Sequence, residues 1–293
     1  MGTIKHLLLG LIFACSFSIG VSNAQSIPKM ILVEGGQFTM GSNQGEDNEK
    51  PTHQVALDAF YIAEHETTVD QYREFVKATG RDMPQPPDED WMKTHLHTMK
   101  YYTSAAKTWW GWQADFPMHH VNWYDAMEYC NWLSEKEGLQ KCYTTDPKGG
   151  WLTDITKNGY RLPTEAEWEF AARGGNKSKG YIYSGSNDPS AVAWYDDTSN
   201  QKSPMTIKTK APNELGIYDM SGNVWEWCSD YYDADYYKKS PLKNPFNDKF
   251  SVYRTLRGGA WHYRVEYTTV TSRDGPEPKF SNYNYGFRIA RTK

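Results

Sequence analysis

The sequence predicts an α+β domain with little regular structure, and three observations predict it. Residues 54–62 alternate, with Val55, Leu57, Ala59 and Tyr61 on one face, which is the period of a strand. Three segments carry apolar residues at helical spacing, and each is framed by start and stop residues. Residues 175–250 are rich in Gly, Pro, Asn, Asp and Tyr and hold no lasting period. The 12 Trp and 21 Tyr suit such a chain, because aromatic rings bury large areas while their polar tips seek partners in loops. Hydrophobic residues at 39% and charged residues at 23% are enough for one globular core.

In chain order, the first segment stands apart. Lys5 and His6 precede an apolar run, Leu7 to Val21, and Ser22-Asn23-Ala24 offers small side chains for cleavage. This reads as a secretory leader over residues 1–24, cut after Ala24. The run is short for a membrane anchor. Lipidation at Cys15 is the remaining alternative, although Phe13 fits a lipobox badly. No transmembrane segment is expected after the leader is removed, and one domain is expected over residues 27–293.

Within that domain, Met30–Val33 and Gln37–Met40 flank Glu34-Gly35-Gly36 and read as a hairpin. Gln54–Ile62 follows as one strand. The first helix is expected over Val69–Thr79, with a Thr68/Gln71 capping box and Gly80 as its stop. The second begins at Asn122, buries Trp123, Ala126, Met127, Cys130 and Leu133, and closes at Gly138. The third follows Pro163, with a Thr164/Glu167 capping box, a stripe of Trp168, Ala171 and Ala172, and Gly174 as its stop. Short strands return at Val252–Leu256 and Gly286–Ala290.

Several function classes are excluded by composition and motif. Net charge is −4 with no basic stripe, so nucleic acid is not an expected partner. No nucleophile elbow, phosphate loop or redox Cys-x-x-Cys is present. The pairs His95/His97 and His119/His120 lack a third ligand at zinc-like spacing. An exported chain meets an oxidising compartment, so Cys130 and Cys142 are a disulfide candidate with Cys228 left over. Three buried, inert thiols are the alternative.

Specific motifs now enter. In order they are Gly35-Gly36-Gln37-Phe38-Thr39-Met40-Gly41, Glu66-Thr67-Thr68-Val69 and Val121-Asn122-Trp123-Tyr124-Asp125-Ala126. Tyr160-Arg161-Leu162-Pro163-Thr164-Glu165-Ala166-Glu167-Trp168-Glu169 and Asp219-Met220-Ser221-Gly222-Asn223-Val224-Trp225-Glu226-Trp227 follow. Arg257-Gly258-Gly259-Ala260-Trp261 and Gly286-Phe287-Arg288 close the set. Together they resemble the formylglycine-generating enzyme, or sulfatase-modifying-factor, family. The resemblance implies a C-type-lectin-like fold of the sulfatase-modifying-factor type. It also implies a structural calcium ion, with Asp219, Gly222, Val224 and Glu226 matching one of the family's sites. Carboxylates and main-chain carbonyls on a tight loop are suitable ligands for that ion.

The family's oxidases hold copper(I) between two cysteines, because soft thiolates suit that ion. Here those positions fall on Tyr263 and Thr268, so no copper is expected and formylglycine synthesis is not expected. The equivalent groove holds Trp261, His262, Tyr263, Arg264, Glu266, Tyr267 and Arg273. Aromatic rings beside charged groups suit recognition of a ligand. Alternatively, Trp261 packs in the core while Arg273 and Arg288 pair with buried carboxylates such as Glu167 or Glu169. Two functions stay open. One is an exported, periplasmic or secreted accessory protein that binds a ligand or an envelope protein. The other is an oxidoreductase acting on a thiol or phenolic substrate without the copper-dicysteine site, with His262, Tyr263 and Glu266 as its catalytic candidates.

Overall fold

The computed structural model describes residues 27–85, 110–200 and 202–293. The leader with Cys15, and His95 and His97, lie outside them. The strands run in the order β1 (Met30–Val33), β2 (Gly36–Met40), β3 (His53–Leu57), β4 (Phe60–Ala63), β5 (Tyr143–Thr145), β6 (Trp151–Thr153) and β7 (Tyr160–Arg161). They continue with β8 (Trp225–Tyr231), β9 (Arg254–Arg257), β10 (Arg273–Asp274), β11 (Tyr285–Gly286) and β12 (Ala290–Thr292). Helices α1 (Val69–Thr79) and α2 (Trp123–Lys136) lie between β4 and β5, and α3 (Glu165–Ala172) follows β7. One sheet has the order β1-β4-β12-β7 and a second β10-β9-β8-β11. Two further two-stranded sheets pair β2 with β3 and β5 with β6.

The expected hairpin at Glu34-Gly35-Gly36 is not formed. β1 pairs antiparallel with β4, and β2 pairs antiparallel with β3, so the chain changes sheet at Gly35. The backbone there runs so close to its neighbour that a Cβ on Gly35 would stand 2.6 Å from the Leu57 carbonyl oxygen. The single strand expected over 54–62 is likewise two, broken at Asp58-Ala59. The break shifts the phase: Val55 and Leu57 are buried before it, Phe60 and Ile62 after it.

The three helices form as the caps predict. Thr68/Gln71 and Thr164/Glu167 are reciprocal capping boxes, and Asn122 makes a third with Asp125. Gly80, Gly138 and Gly174 all take the left-handed conformation beyond the helix ends. Trp123, Ala126, Met127, Cys130 and Leu133 are all fully buried. Helix α3 departs from its expected stripe, because every one of its residues is buried, including Glu165, Glu167 and Glu169.

Guanidinium groups hold those acids. Arg161 forks onto Glu167 at 2.6 and 2.8 Å, Arg273 onto Glu165 at 2.7 and 2.7 Å, and Arg257 reaches Glu169 at 2.6 Å. Arg288 forks onto Glu226 at 2.6 and 2.7 Å. The inward pairing expected for Arg273 and Arg288 is therefore present, but with Glu165 and Glu226 in place of Glu167 and Glu169. Paired, forked geometry is what allows such charges inside a protein.

The C-terminal strands are shorter and differently placed than expected. Val252–Leu256 becomes β9 at Arg254–Arg257, and Gly286–Ala290 divides between β11 and β12, which belong to different sheets. β11 lies parallel to β8, whereas β12 lies antiparallel between β4 and β7. β8 itself was not anticipated. Six of its seven residues are buried, so the alternation that marks a half-exposed strand is absent. Cys130, Cys142 and Cys228 are buried and unbridged, so the disulfide candidate is not formed. Burial pushes the Cys142 thiol up to about 11 and raises the Cys130 and Cys228 thiols strongly, which keeps all three protonated.

Candidate functional site

The loop from Gly258 to Asp274 is fastened to the Asp219–Glu226 segment. Gly222 donates its N–H to the Gly258 carbonyl at 2.7 Å, and Trp261 donates to the Asn223 carbonyl at 2.8 Å. At Gly259, with φ +77°, a Cβ would stand 2.3 Å from the Tyr267 carbonyl oxygen. Only glycine lets the loop fold back onto the short 3-10 turn Val265–Thr268. That fold brings Tyr263 and Tyr267 together, with ring centroids 5.8 Å apart.

The two positions where the resemblance expects thiolates are filled differently. Thr268 is fully buried, and its hydroxyl donates to the Val265 carbonyl at 2.8 Å. Tyr263 packs edge-on against Trp225 at 5.7 Å and against His262 at 4.7 Å. The cysteines Cys130, Cys142 and Cys228 are buried within the two hydrophobic cores and none belongs to this loop.

The other groove candidates do not converge. Trp261 is fully buried and packs edge-on against Trp110, which is the core role weighed for it. His262 shares a hydrogen bond with the Tyr283 hydroxyl at 3.0 Å, and burial pushes its imidazole down to about 3. It is therefore neutral at ordinary pH. Burial also raises the Tyr263 phenol, so a ready phenolate is not available there. Arg264 and Glu266 pair with each other at the surface. His262 and Tyr263 touch, but Glu266 is held by Arg264, so the three catalytic candidates do not meet at one point, and the charge of Arg273 is used by Glu165. His119 is buried against Trp112 and Trp110, His120 is buried beside His119, and burial lowers both.

A pocket of about 430 Å³ opens beside the loop. Its aromatic side is Trp225, Tyr263 and Tyr267, and its polar side is Glu46, Asp47, Glu49 and Asp274 with Asn48, Ser272 and Arg273 among them. Glu49 is 3% exposed, and its Oε2 has no partner among the described residues. The sequence reading expected guanidinium groups here. Arg273 does line the pocket, with its charge paired to Glu165, whereas Arg264 pairs with Glu266 outside it; the remaining charged wall is acidic and comes mostly from the 46–49 loop. No motif or period marked that loop; the run Glu46-Asp47 beside Gly45 was the available signal.

The proposed calcium residues lie beneath the same loop. Asp219 Oδ2 accepts from the Lys208 N–H at 2.8 Å, whereas Oδ1 is buried without a partner. Burial raises Asp219, and it raises Glu66 strongly, with Asp219 and Glu226 adding to the effect. Glu226 Oε2 accepts from Trp168 Nε1 and Arg288 Nε, and Oε1 from Arg288 Nη2. One acceptor position on Oε1 is left, since a carboxylate offers about four. Three buried carboxylates face one guanidinium, and one oxygen is orphaned. This donor set fits a hard cation in charge and chemistry. No group of three or more His, Cys, Asp or Glu side chains converges on a point among the described residues. The set that the resemblance implies, Asp219 and Glu226 with the main chain of Gly222 and Val224, contains only two such side chains. Glu66 was missed in the sequence, where it stands beside a helix cap.

Fold and site together define a class: an α+β domain of C-type-lectin-like architecture whose loops, not its sheets, build a pocket over a buried acidic cluster. A family model, the sulfatase-modifying factor enzyme 1-like domain, matches residues 17–293. The chain belongs to that family. It is 32% identical over 312 residues to the chaperone protein LppX of Paenibacillus barcinonensis, covering 96% of this chain and 94% of that one. It is 30% identical over 303 residues to the formylglycine-generating enzyme of Streptomyces coelicolor, covering 89% and 88%. A serine/threonine-protein kinase, pkn1 of Chlamydia pneumoniae, is 31% identical over 268 residues, but the chain spans only 38% of it. Among solved structures, Treponema denticola variable protein 1 superposes with a TM-score of 0.72 at 29% identity, covering 90% of this chain and 95% of the other. Relatives named as enzyme, kinase and chaperone share this one scaffold, so the scaffold does not fix the activity.

Proposed function

We propose that this chain is an exported accessory protein that binds a ligand or another protein through the pocket beside Tyr263, and that it does not make formylglycine. The observation that carries this reading is the pair Tyr263 and Thr268. One is a packed phenol and the other a buried hydroxyl spent on the Val265 carbonyl, where copper chemistry needs two thiolates. The pocket's character indicates what it recognises. Three aromatic faces and a wall of carboxylates attract a cation, by charge and by the ring quadrupole. The fitting ligand is therefore a basic side chain, as on a Lys- or Arg-bearing segment of a partner protein. Export rests on the leader read over residues 1–24; among the described residues no helix is long and apolar enough to cross a membrane.

Calcium belongs to the same proposal as a brace. Asp219 and Glu226 would hold it with the main chain of Gly222 and Val224, and it would offset the buried negative charge under the loop.

The test uses the full mature chain. Titration calorimetry with a short Lys/Arg-rich peptide should give saturable binding that a Glu-rich peptide does not. Glu49→Gln should weaken it about fivefold or more, in line with a loss of roughly 1 kcal/mol or more from one buried charge-assisted contact. Aldehyde formation on a sulfatase-derived cysteine peptide by the copper-loaded protein would overturn the reading. The oxidoreductase alternative gains no support from the site, since His262, Tyr263 and Glu266 share no reaction point.

A further inference from the structure

A second groove lies away from the loop, on the face built by the β5–β6 hairpin, the 246–254 segment and the 277–279 turn. Its volume is about 710 Å³, within the range of small-molecule sites. Tyr124, Trp151, Tyr231 and Phe250 supply apolar wall. Phe250 is 82% exposed and rests edge-on against Tyr231 at 5.6 Å, so it stands at the rim of the groove.

Arg254 lies at the bottom of that wall. It is 3% exposed, and its guanidinium is sandwiched between the Trp123 ring at 3.8 Å and the Tyr231 ring at 3.5 Å. Nη1 donates to the Ser229 carbonyl at 2.6 Å, and Nε has no acceptor. The other arginines that are fully or almost fully buried, Arg161, Arg257, Arg273 and Arg288, each have a glutamate in contact. Arg254 has no carboxylate within ion-pair distance among the described residues. Asp230 is the buried carboxylate whose charge reaches Arg254, but it is not in contact, and its oxygens accept from the N–H groups of Glu165 and Asn247. A buried guanidinium without a contacting counter-charge is costly, and the two rings offset that cost only in part. Asp248 and Glu277 line the same groove but are solvent-exposed at its rim, where water and salt screen them; Lys279 lies beside them. Tyr124 and the Asp146 carboxylate complete the polar surroundings, the latter already accepting from the Lys148 and Gly150 N–H groups.

We propose that this groove is a second ligand site, separate from the pocket beside Tyr263, and that it takes a carboxylate carried on an aromatic or branched apolar body. The carboxylate pairs with Arg254, whose planar fork matches it, and the body lies against Trp151, Tyr231 and Phe250. A free organic acid and the C-terminal carboxylate of an apolar-ended peptide share this chemistry.

The experiment is a calorimetric and ligand-observed NMR titration of the mature chain. The probes are 3-phenylpropionate, its neutral amide, 3-phenylpropylamine, inorganic phosphate, and a tripeptide ending in Phe with a free or amidated C-terminus. Saturable binding of 3-phenylpropionate is expected, with the amide and the amine about tenfold weaker or more, corresponding to one lost charge-assisted contact. If the free-ended tripeptide competes and its amidated form does not, the natural ligand is peptide-borne; if neither competes, it is a free acid. Phe250→Ala, on an exposed residue, should weaken binding severalfold without moving Tm, and Arg254→Lys should weaken it at least as much as the amide. Glu49→Gln should leave it unchanged, so failure here is distinct from failure of the basic-ligand reading. Equal binding of acid and amide, phosphate binding as tightly as the aromatic acid, or no saturable binding up to about 10 mM, the weak limit of a specific small-ligand contact, would each overturn the proposal.

Discussion

Glu165 shows at the scale of one residue how this protein manages charge. It lies in the first turn of α3, where acid suits the helix dipole, and both its oxygens are held by Arg273. Removing one partner strands the other, so Arg273→Met should cost roughly 3–5 kcal/mol, read as a shift in the urea midpoint. Arg273→Lys should recover only part of this, because an ammonium cannot fork. Asp230 behaves differently. Burial, with Glu165 nearby, pushes its carboxyl up to about 7. Between about pH 4 and pH 7 the folded chain therefore keeps a proton that the unfolded chain has released. Stability should fall as pH rises through that window, by up to about 4 kcal/mol. Unfolding free energies measured across it check this, and Asp230→Asn should flatten the slope even though it disturbs the N–H groups of Glu165 and Asn247 that the carboxylate accepts from.

At the scale of elements, the capping boxes are the local code. Thr164→Ala removes the acceptor for the Glu167 N–H and should cost about 1 kcal/mol, measured by thermal unfolding. Helices were legible because caps, left-handed glycines and apolar spacing agree within a dozen neighbouring residues. The strands were less so. β1 and β2 are adjacent in sequence yet join different sheets, and nothing local to Gly35 encodes that its neighbour is Leu57. β8 was invisible because both faces are covered. In the site, the loop 258–273 and the acidic segment 219–226 were legible through the family motifs. The acidic wall at 46–49 and the lone Arg254 were not, since each gains meaning only from residues far along the chain.

For the molecule as a whole, the proposed calcium brace over the buried negative charge predicts a response to metal. Chelation by EDTA should lower Tm by about 4 °C or more and calcium should restore it, while metal analysis of the untreated protein should find calcium and no copper. An unchanged Tm together with no bound calcium would remove the brace from the proposal. The sheet order carries a different consequence. β12, Ala290–Thr292, lies between β4 and β7 and is the only link joining the opening strands to the segment that leads into α3 in that sheet. Without that strand β4 and β7 have no common neighbour, so this sheet closes only when residues 290–292 are in place.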